Sequence, residues 1–422
     1  MNAELRRGTP TAVFGVSAPH KYMIASLVTQ PAVYICADAQ TAKKAAESIA
    51  TLSGKKVSLL SAKDEVLLYK TAISKDALFR RINAIHQFQN GAEILVADVE
   101  SLIQLFPCSI PSVALQVGEE TDFSTLPARL VSMGYVREQN VESKGSFALR
   151  GDILDIFPVN EENPVRIDFF GDEVESIKPY DLVTGDRLPV AQNLTVVAAT
   201  DVFLSDEDIK NIPEVLKDEL KKCPDSEAYA RSLSIVDDIL EKLENRRDTA
   251  NNFLLPILEN SCDFFSLLDE KTLLIFDEGK QIYDKLDVLY KEHEERFQRL
   301  LKAGEVFSFT KRQFAVREDF FSNVTSFKCL ALQTFTSRTF FFEPFKIFNF
   351  KSSPVSRYLN SFETLFTDIK NWLYNQYKII LFCGTHGRKE KLKEALRENA
   401  LPVAPGVHAL EYFSGVEVLE HQ

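Results

Sequence analysis

The sequence has no apolar run long enough to cross a membrane, and its few cysteines are not arranged as metal ligands. The longest apolar runs are strand-sized, well short of the roughly 20 residues that a membrane span needs. The N-terminal "MNAELRRGTP" lacks the apolar stretch of a secretory signal. The six cysteines and six histidines are dispersed, with no Cys-x-x-Cys pair. We therefore expect a cytoplasmic protein with reduced thiols, no metal site and no membrane partner.

The chain also lacks an excess of basic residues. It has 49 Lys and Arg against 61 Asp and Glu, which gives a net charge of −12. Because contact with phosphates needs clustered Lys and Arg, this balance disfavours a simple DNA-binding module. Hydrophobic residues make up 45% of the 422 residues and charged residues 26%, which is typical of a globular chain of two to four domains.

The order of apolar runs predicts an α/β fold that is interrupted by an insertion. From Thr11 to Gly118, runs such as "AVYICA" and "SVALQVG" alternate with helix-like stretches, which is typical of a parallel sheet. Closely spaced strands with glycine turns then predict an antiparallel α+β module. Two acidic, helix-periodic segments over 205–250, each opened by a serine, predict a capped helical pair, after which "TLLIF" resumes the α/β pattern.

The last hundred residues contain a further strand and helix in "KIILFCGTHGRKEKLKEALREN". The predicted units are the two parts of a parallel-sheet domain at residues 1–118 and 205–325, the antiparallel module at residues 119–204, and a small α/β domain at residues 326–422.

The stretch "GVSAPHKY" nearly matches a phosphate-binding loop. Gly15 and Lys21 have the spacing of Gly-x-x-x-x-Gly-Lys-Ser/Thr, but His20 replaces the second glycine and Tyr22 replaces the hydroxyl residue. A ring at residue 20 occupies space that the backbone needs to approach phosphate, and a phenol is a poor ligand for Mg²⁺. The loop therefore predicts a degenerate nucleotide site.

The strand "LLIF" ends in Asp277 and Glu278, the form of strand that delivers carboxylates to Mg²⁺ and water in ATPases. Two interpretations are open. One is residual ATP binding through Lys21; the other is structural, with Lys21 a solvated residue at a helix start and Asp277 a strand-end cap. We favour the second, and therefore expect neither a catalytic residue nor a cofactor in this chain.

The antiparallel stretch resembles a known family. The elements are Gly134-Tyr135, Arg150-Gly151, the run "DILDIFP", Arg166, and "FFGDEVESI". They are similar to the signature shared by bacterial transcription-repair coupling factors (Mfd) and the excision-repair damage-recognition subunit UvrB. The wider resemblance to this family covers about residues 1–320. The coupling factors fit better, because the phosphate loop is degenerate and "LLSAKDEVLLYKTAISKDALFRR" has a single tyrosine where UvrB has a tyrosine-rich hairpin.

The resemblance implies a degenerate helicase-like (RecA-like) domain interrupted by an adaptor module that binds the excision-repair subunit UvrA. It also implies that this chain is the N-terminal region of a larger factor. RNA polymerase and double-stranded DNA would bind C-terminal domains outside it, where ATP and Mg²⁺ would drive translocation. The alternative is a divergent ATP-dependent DNA helicase or a damage-recognition protein of the UvrB type.

Strand alternation in "VRIDFF" suggests a binding surface. Val165, Ile167 and Phe169 share one face, and Arg166 and Phe170 lie on the other. An exposed phenylalanine beside an arginine is typical of a binding hot spot. The alternative is that Phe170 covers a second layer and the arginines are solvated charges, and the residues alone do not decide between the two.

The resemblance favours the first interpretation. In the family, the positions that match Arg150, Arg166 and Phe170 form the surface that binds UvrA. We therefore expect these three residues to form the docking surface of the module.

Overall fold

The computed structural model describes residues 8–69, 74–244, 252–355, 358, 362–403, 406–408 and 416–421. The helices of these residues are α1 (Ala18–Ser26), α2 (Ala39–Ser53), α3 (Lys75–Gln89), α4 (Val99–Ile103), α5 (Leu126–Ser132), α6 (Asp206–Leu220), α7 (Ser226–Glu244), α8 (Gly279–Lys302), α9 (Arg317–Val324), α10 (Phe362–Tyr374) and α11 (His386–Glu398).

The first strands in chain order are β1 (Thr11–Phe14), β2 (Ala32–Cys36), β3 (Val57–Leu60), β4 (Ile94–Asp98), β5 (Phe106–Pro107), β6 (Ser112–Gln116), β7 (Val136–Arg137), β8 (Ser146–Arg150), β9 (Ile153–Ile156) and β10 (Val165–Phe170). They are followed by β11 (Glu173–Pro179), β12 (Asn193–Val197), β13 (Ser261–Cys262), β14 (Leu273–Asp277), β15 (Lys328–Gln333), β16 (Lys346–Pro354), β17 (Leu381–Phe382), β18 (Val407–His408) and β19 (Val416–His421). Part of the predicted helical pair, residues 245–250, and part of the segment compared with the tyrosine-rich hairpin, residues 70–73, lie outside the described residues.

The largest sheet of the described residues has the order β19-β16-β1-β15-β14-β2-β4-β3 and is parallel except for β19. The central strands β2, β4 and β14 are buried at every position, because helices cover both faces. Val33 and Phe276 pack on the face covered by α4, α8 and α9, whereas Tyr34 and Ile275 pack on the face covered by α1 and α2. The predicted α/β fold with a parallel sheet is confirmed.

This sheet extends beyond the boundary that the sequence predicts at residues 325/326. Strand β1 lies between β15 and β16, with Thr11 paired to Leu330 on one side and to Lys346 on the other. Five of the six residues of β15 are buried, so this strand needs neighbours on both sides and cover on both faces. A strand followed by a helix in the last hundred residues predicts a small domain, but it does not show which sheet the strands before it join. A separate small core around Ile369 and Leu396 joins α10, α11, β17 and β18.

The insertion contains a five-stranded sheet in the order β11-β10-β9-β8-β7, antiparallel except between β7 and β8. One face carries Phe147, Leu154, Ile167 and Val174 into a core that also includes residues of β6, β12 and α5. The predicted antiparallel insertion is confirmed. Its other face, called the solvated face below, carries the exposed Arg150, Arg166 and Phe170, although Ala148 and Asp155 on the same face are buried.

The run "SVALQVG" was expected to be a strand of the parallel sheet, and this prediction is wrong. Its strand β6 pairs antiparallel with β12, with Leu115 opposite Leu194. Val113 and Leu115 are buried, whereas Ala114 and Gln116 are exposed. Such alternation fits a sheet with one solvated face, not a strand buried on both faces. The insertion therefore begins before residue 119.

The helical pair of α6 and α7 follows the module and packs around Leu216, Val236 and Ile239. Ser205 caps α6 as predicted, in a capping box with Asp208. Helix α7 begins at Ser226, and the carboxylate that receives the Ala228 N–H belongs to Asp225. The predicted serine cap is thus replaced by an aspartate one residue earlier.

Strands β5 and β13 pair antiparallel where the chain leaves and re-enters the parallel-sheet domain. Residues 108–260, between these strands, contain the module and the helical pair. We call the β5–β13 pair the neck of the insertion.

Candidate functional site

The degenerate loop is wound into helix. Helix α1 begins at Ala18, and the backbone N–H of Lys21 donates to the carbonyl oxygen of Ser17 at 3.0 Å. In a working loop these N–H groups point at the phosphates. Gly15 has a φ of 75°, and a Cβ there would lie 1.8 Å from the carbonyl oxygen of Phe350. The glycine therefore allows close packing against β16, which occupies the space beside the loop.

Lys21 is buried in an internal ion pair, with only 3% of its side chain exposed. Its Nζ lies 2.7 Å from Asp277 Oδ1 and 2.5 Å from Glu278 Oε1. The interpretation of Lys21 as a solvated residue is therefore wrong. It follows β1 and Asp277 ends β14, and the carboxyl ends of parallel strands meet at one edge of the sheet.

Hydrogen bonds complete this ion cluster. The Tyr34 hydroxyl donates to Asp277 Oδ2 at 2.9 Å, and Glu278 Oε1 accepts from the backbone N–H and the hydroxyl of Thr334 at 2.8 and 2.6 Å. Burial by itself would lower the pKa of Lys21, but Asp277 and then Glu278 outweigh it and raise that pKa. Burial would raise the pKa of Glu278, but Lys21 and Thr334 lower it. Lys21 is thus held protonated by partners within the fold.

The two replaced positions of the loop are parts of the core. The His20 ring contacts the Phe350 ring edge-to-face at 5.1 Å, and burial lowers the pKa of His20. The Tyr22 ring packs on Tyr34 at 6.2 Å. Asp277, expected as a strand-end cap, is instead the buried acceptor between Lys21 and Tyr34.

The solvated face of the five-stranded sheet carries the other predicted site. The predicted alternation in β10 is confirmed, since Val165, Ile167 and Phe169 are buried. Phe170 is 80% exposed, so it does not cover a second layer. It stands at the end of β10, beside the turn that leads to Glu173.

Arg166 is not a free surface charge. Its Nε and Nη2 donate to the two carboxylate oxygens of Asp155 on β9, at 2.7 and 2.9 Å. Asp155 is 5% exposed, while the Arg166 side chain is 44% exposed. The hydrogen bonds to Asp155 raise the pKa of Arg166 further. The guanidinium fork, which could otherwise pair with a carboxylate of a partner, is occupied within the module, and Arg166 presents its remaining edge to solvent.

Arg150 lies on the same sheet face as Arg166, and its partner on β9 is two residues from the partner of Arg166. It stands opposite Ile153, which in turn stands opposite Asp168 of β10. Its Nη2 donates to Asn140 Oδ1 at 2.5 Å and to the Gln139 carbonyl at 3.2 Å. Both acceptors are neutral, so the charge of Arg150 remains available to a partner.

The sequence reasoning missed the polar side chains that order this face. Besides Asp155, they include Asp168, whose Oδ2 receives bonds from Lys178 at 2.5 Å and Ser176 at 2.7 Å. Burial and the nearby Asp155 raise the pKa of Tyr180. Arg166 and Arg150 also lie near Tyr180 and offset only part of this rise. A signal was present in "DILDIF", since Asp155 alternates with the buried Leu154 and Ile156.

Comparison with known proteins shows what the module and the chain are similar to. Residues 113–202 match the family model described as the UvrB interaction domain. The chain is 26% identical over 304 residues to a transcription-repair-coupling factor of Staphylococcus haemolyticus and 26% identical over 307 residues to that of Bacillus subtilis. These matches cover 70% of this chain and about a quarter, 25% and 26%, of the two relatives. The resemblance seen in the sequence is confirmed.

Among the helices of the described residues, none combines the length and apolar composition that a membrane crossing requires. In the same part of the chain, no group of three or more His, Cys, Asp or Glu side chains is arranged to hold a metal ion.

Proposed function

We propose that this chain is the adaptor region of a cytoplasmic transcription-repair coupling factor and that it binds UvrA through the solvated face of its five-stranded sheet. The observation that carries the proposal is the exposed Phe170 ring on the same sheet face as Arg150 and Arg166, within residues that match the UvrB interaction domain. RNA polymerase and double-stranded DNA would bind elsewhere in the factor.

The face suits a partner with an apolar pocket and an acidic rim. A large apolar ring held in water gains free energy when a pocket removes it from solvent, and aromatic and arginine anchors dominate such interfaces. Arg150, whose acceptors are neutral, can pair with a carboxylate of the partner. Arg166 is oriented by Asp155 before binding, so less conformational entropy is lost on association.

This function needs no ATP at the degenerate site. The cation that would contact the nucleotide phosphates is paired with Asp277 and Glu278, and a nucleotide would have to break that buried pair. We therefore propose that this chain neither binds nor hydrolyses ATP. The alternative of an ATP-dependent helicase gains support only from the proximity of Lys21 to Asp277. The start of helix α1 within the loop argues against this alternative.

The test is a calorimetric titration of purified UvrA into wild type and into Arg150 variants. Arg150→Ala should weaken binding about tenfold, equivalent to about 1.4 kcal/mol. Arg150→Glu should weaken it more, because it sets an anion against an acidic rim. Arg388→Glu is the matched control, an exposed arginine on α11 outside the module, and should bind as wild type does. Wild-type affinity for Arg150→Glu would refute the proposed surface.

A further inference from the structure

Two cysteines lie at the neck of the insertion. Cys262 of β13 stands opposite Phe106 of β5. Cys108 comes two residues after Phe106, and its backbone N–H donates to the carbonyl oxygen of Asn260 at 3.2 Å. By strand alternation, Cys108 and Cys262 are diagonal neighbours on one face of the neck.

The two thiols interact. Burial raises the pKa of Cys262, and the neighbouring Cys108 raises it further. Cys108 is exposed and Cys262 partly buried, and both are in the reduced form. Diagonal neighbours of an antiparallel pair lie about 7–8 Å apart, whereas a disulfide spans about 4.4–6.8 Å between Cα atoms, so bond formation requires a small shift of the two-residue pairing between β5 and β13.

We propose that Cys108 and Cys262 form an oxidative cross-link that closes the neck of the insertion. The bond would join the two chain crossings between the parallel-sheet domain and residues 109–261. The whole UvrB interaction domain match at residues 113–202 lies inside the closed loop. The proposal concerns the neck alone and holds whether or not the module binds UvrA.

The oxidant is a small-molecule disulfide such as oxidised glutathione. The Cys108 thiolate attacks one of its sulfur atoms, forms a mixed disulfide and releases one glutathione thiolate, which takes up a proton. The Cys262 thiolate then attacks the Cys108 sulfur and releases the second glutathione. Two protein thiols are oxidised and one small-molecule disulfide is reduced to two thiols. Because Cys108 is exposed, it is the thiol that meets the oxidant first.

The cross-link should stabilise the folded chain. It constrains the unfolded ensemble by closing a long loop, and this contribution grows with loop length. The Cys108 and Cys262 side chains lie at the neck and not on β8, β9 or β10. Oxidation should therefore raise the melting temperature without changing the residues of the solvated sheet face.

The experiment treats the folded, reduced chain with oxidised glutathione, blocks the remaining thiols by alkylation, and maps peptides by mass spectrometry. We expect a peptide pair joined through Cys108 and Cys262, the loss of two of the six thiols, and a higher melting temperature that reverts on reduction. Cys108→Ser and Cys262→Ser should each abolish the linked pair and the rise in melting temperature.

Cys223→Ser is the control, because Cys223 is partly exposed but lies away from the neck, after α6. It should leave the linked pair unchanged. A folded wild-type chain that retains a lasting mixed disulfide at Cys108, or that forms the pair only in denaturant, would overturn the proposal. Cysteine-to-serine changes at exposed or partly exposed positions should preserve folding, and thermal unfolding of each reduced variant checks this.

Discussion

Lys21 Nζ and Asp277 Oδ1 lie 2.7 Å apart, in side chains that are only 3% and 6% exposed. The lysine that a phosphate-binding loop turns toward a nucleotide is here neutralised by carboxylates of the same fold. Lys21, Asp277 and Glu278 therefore have the geometry of a core ion pair.

Lys21→Met should lower the free energy of unfolding by about 3–5 kcal/mol, because it leaves Asp277 and Glu278 without their buried cation. Urea unfolding measures the change. The matched control is Lys280→Met, which removes an exposed ion pair with Asp284 and should cost under about 1 kcal/mol. Equal effects of the two variants would mean that the Lys21 pair contributes no more than a surface pair.

Calorimetry with magnesium-ATP should detect no binding to the wild-type chain. The physical reason is that a nucleotide would have to break the buried pair of Lys21 while the loop N–H groups stay committed to α1. Micromolar affinity that Lys21→Ala abolishes would contradict this prediction and favour the helicase alternative.

The ion cluster should also give a specific pH dependence. Since the folded pKa of Glu278 lies below its ordinary value of 4.5, its charge stabilises the fold above about that pH. That contribution is lost as the pH falls through the folded pKa. Glu278→Gln should therefore destabilise the chain at neutral pH, and the gap from wild type should shrink as the pH falls below 4.5.

Urea unfolding of Glu278→Gln and wild type at several pH values measures that gap. Glu390→Gln, which changes a side chain 68% exposed, is the control and should give a small gap at every pH. A gap for Glu278→Gln that stays constant from neutral to acid pH would show that the carboxylate charge is not the stabilising feature.

Phe169 and Phe170 offer a matched pair of adjacent rings with opposite exposure, 4% and 80%. Phe170→Ala should weaken UvrA binding by about 2 kcal/mol or more and leave the melting temperature unchanged. Phe169→Ala should instead lower the free energy of unfolding by about 3–5 kcal/mol, because it opens a cavity beside Phe123. A large fall in stability for Phe170→Ala would place that ring in the core.

Asp155 should act as a positioning residue for Arg166. Asp155→Ala frees the Arg166 fork, so we expect UvrA affinity to fall about fivefold although Asp155 itself is buried. In an Arg166→Ala background the same change should have no further effect on affinity. Additive losses in this double-mutant cycle, measured by titration, would show that Asp155 acts independently of Arg166.

Arg166→Glu is unsuitable for testing the surface. It would set a second carboxylate beside the buried Asp155, so this variant should destabilise the module as well as alter its surface. Arg166→Lys keeps the charge but loses the two-pronged contact, and thermal unfolding shows whether that contact also stabilises the module.

Some properties were readable from neighbouring residues along the chain. The period-two pattern of "VRIDFF" placed Phe169 inside and Phe170 outside, because side chains of a strand alternate between faces. The same reasoning, applied to Val113 and Leu115, could have assigned β6 to an antiparallel strand pair. The loss of glycine at His20 and of the hydroxyl at Tyr22 likewise predicted a degenerate loop without any structure.

The alternation of faces, the α/β rhythm with its insertion, and the replaced residues of the phosphate loop could all be read from the sequence, since each depends on local spacing. Only the tertiary structure decided that Lys21 pairs with Asp277, 256 residues away, that Asp155 occupies the fork of Arg166, and that β15 and β16 flank β1. Those contacts depend on which strands adjoin and in what register. That choice is made by the burial of whole strands and helices together, because no single stretch of chain can bury both faces of a sheet by itself.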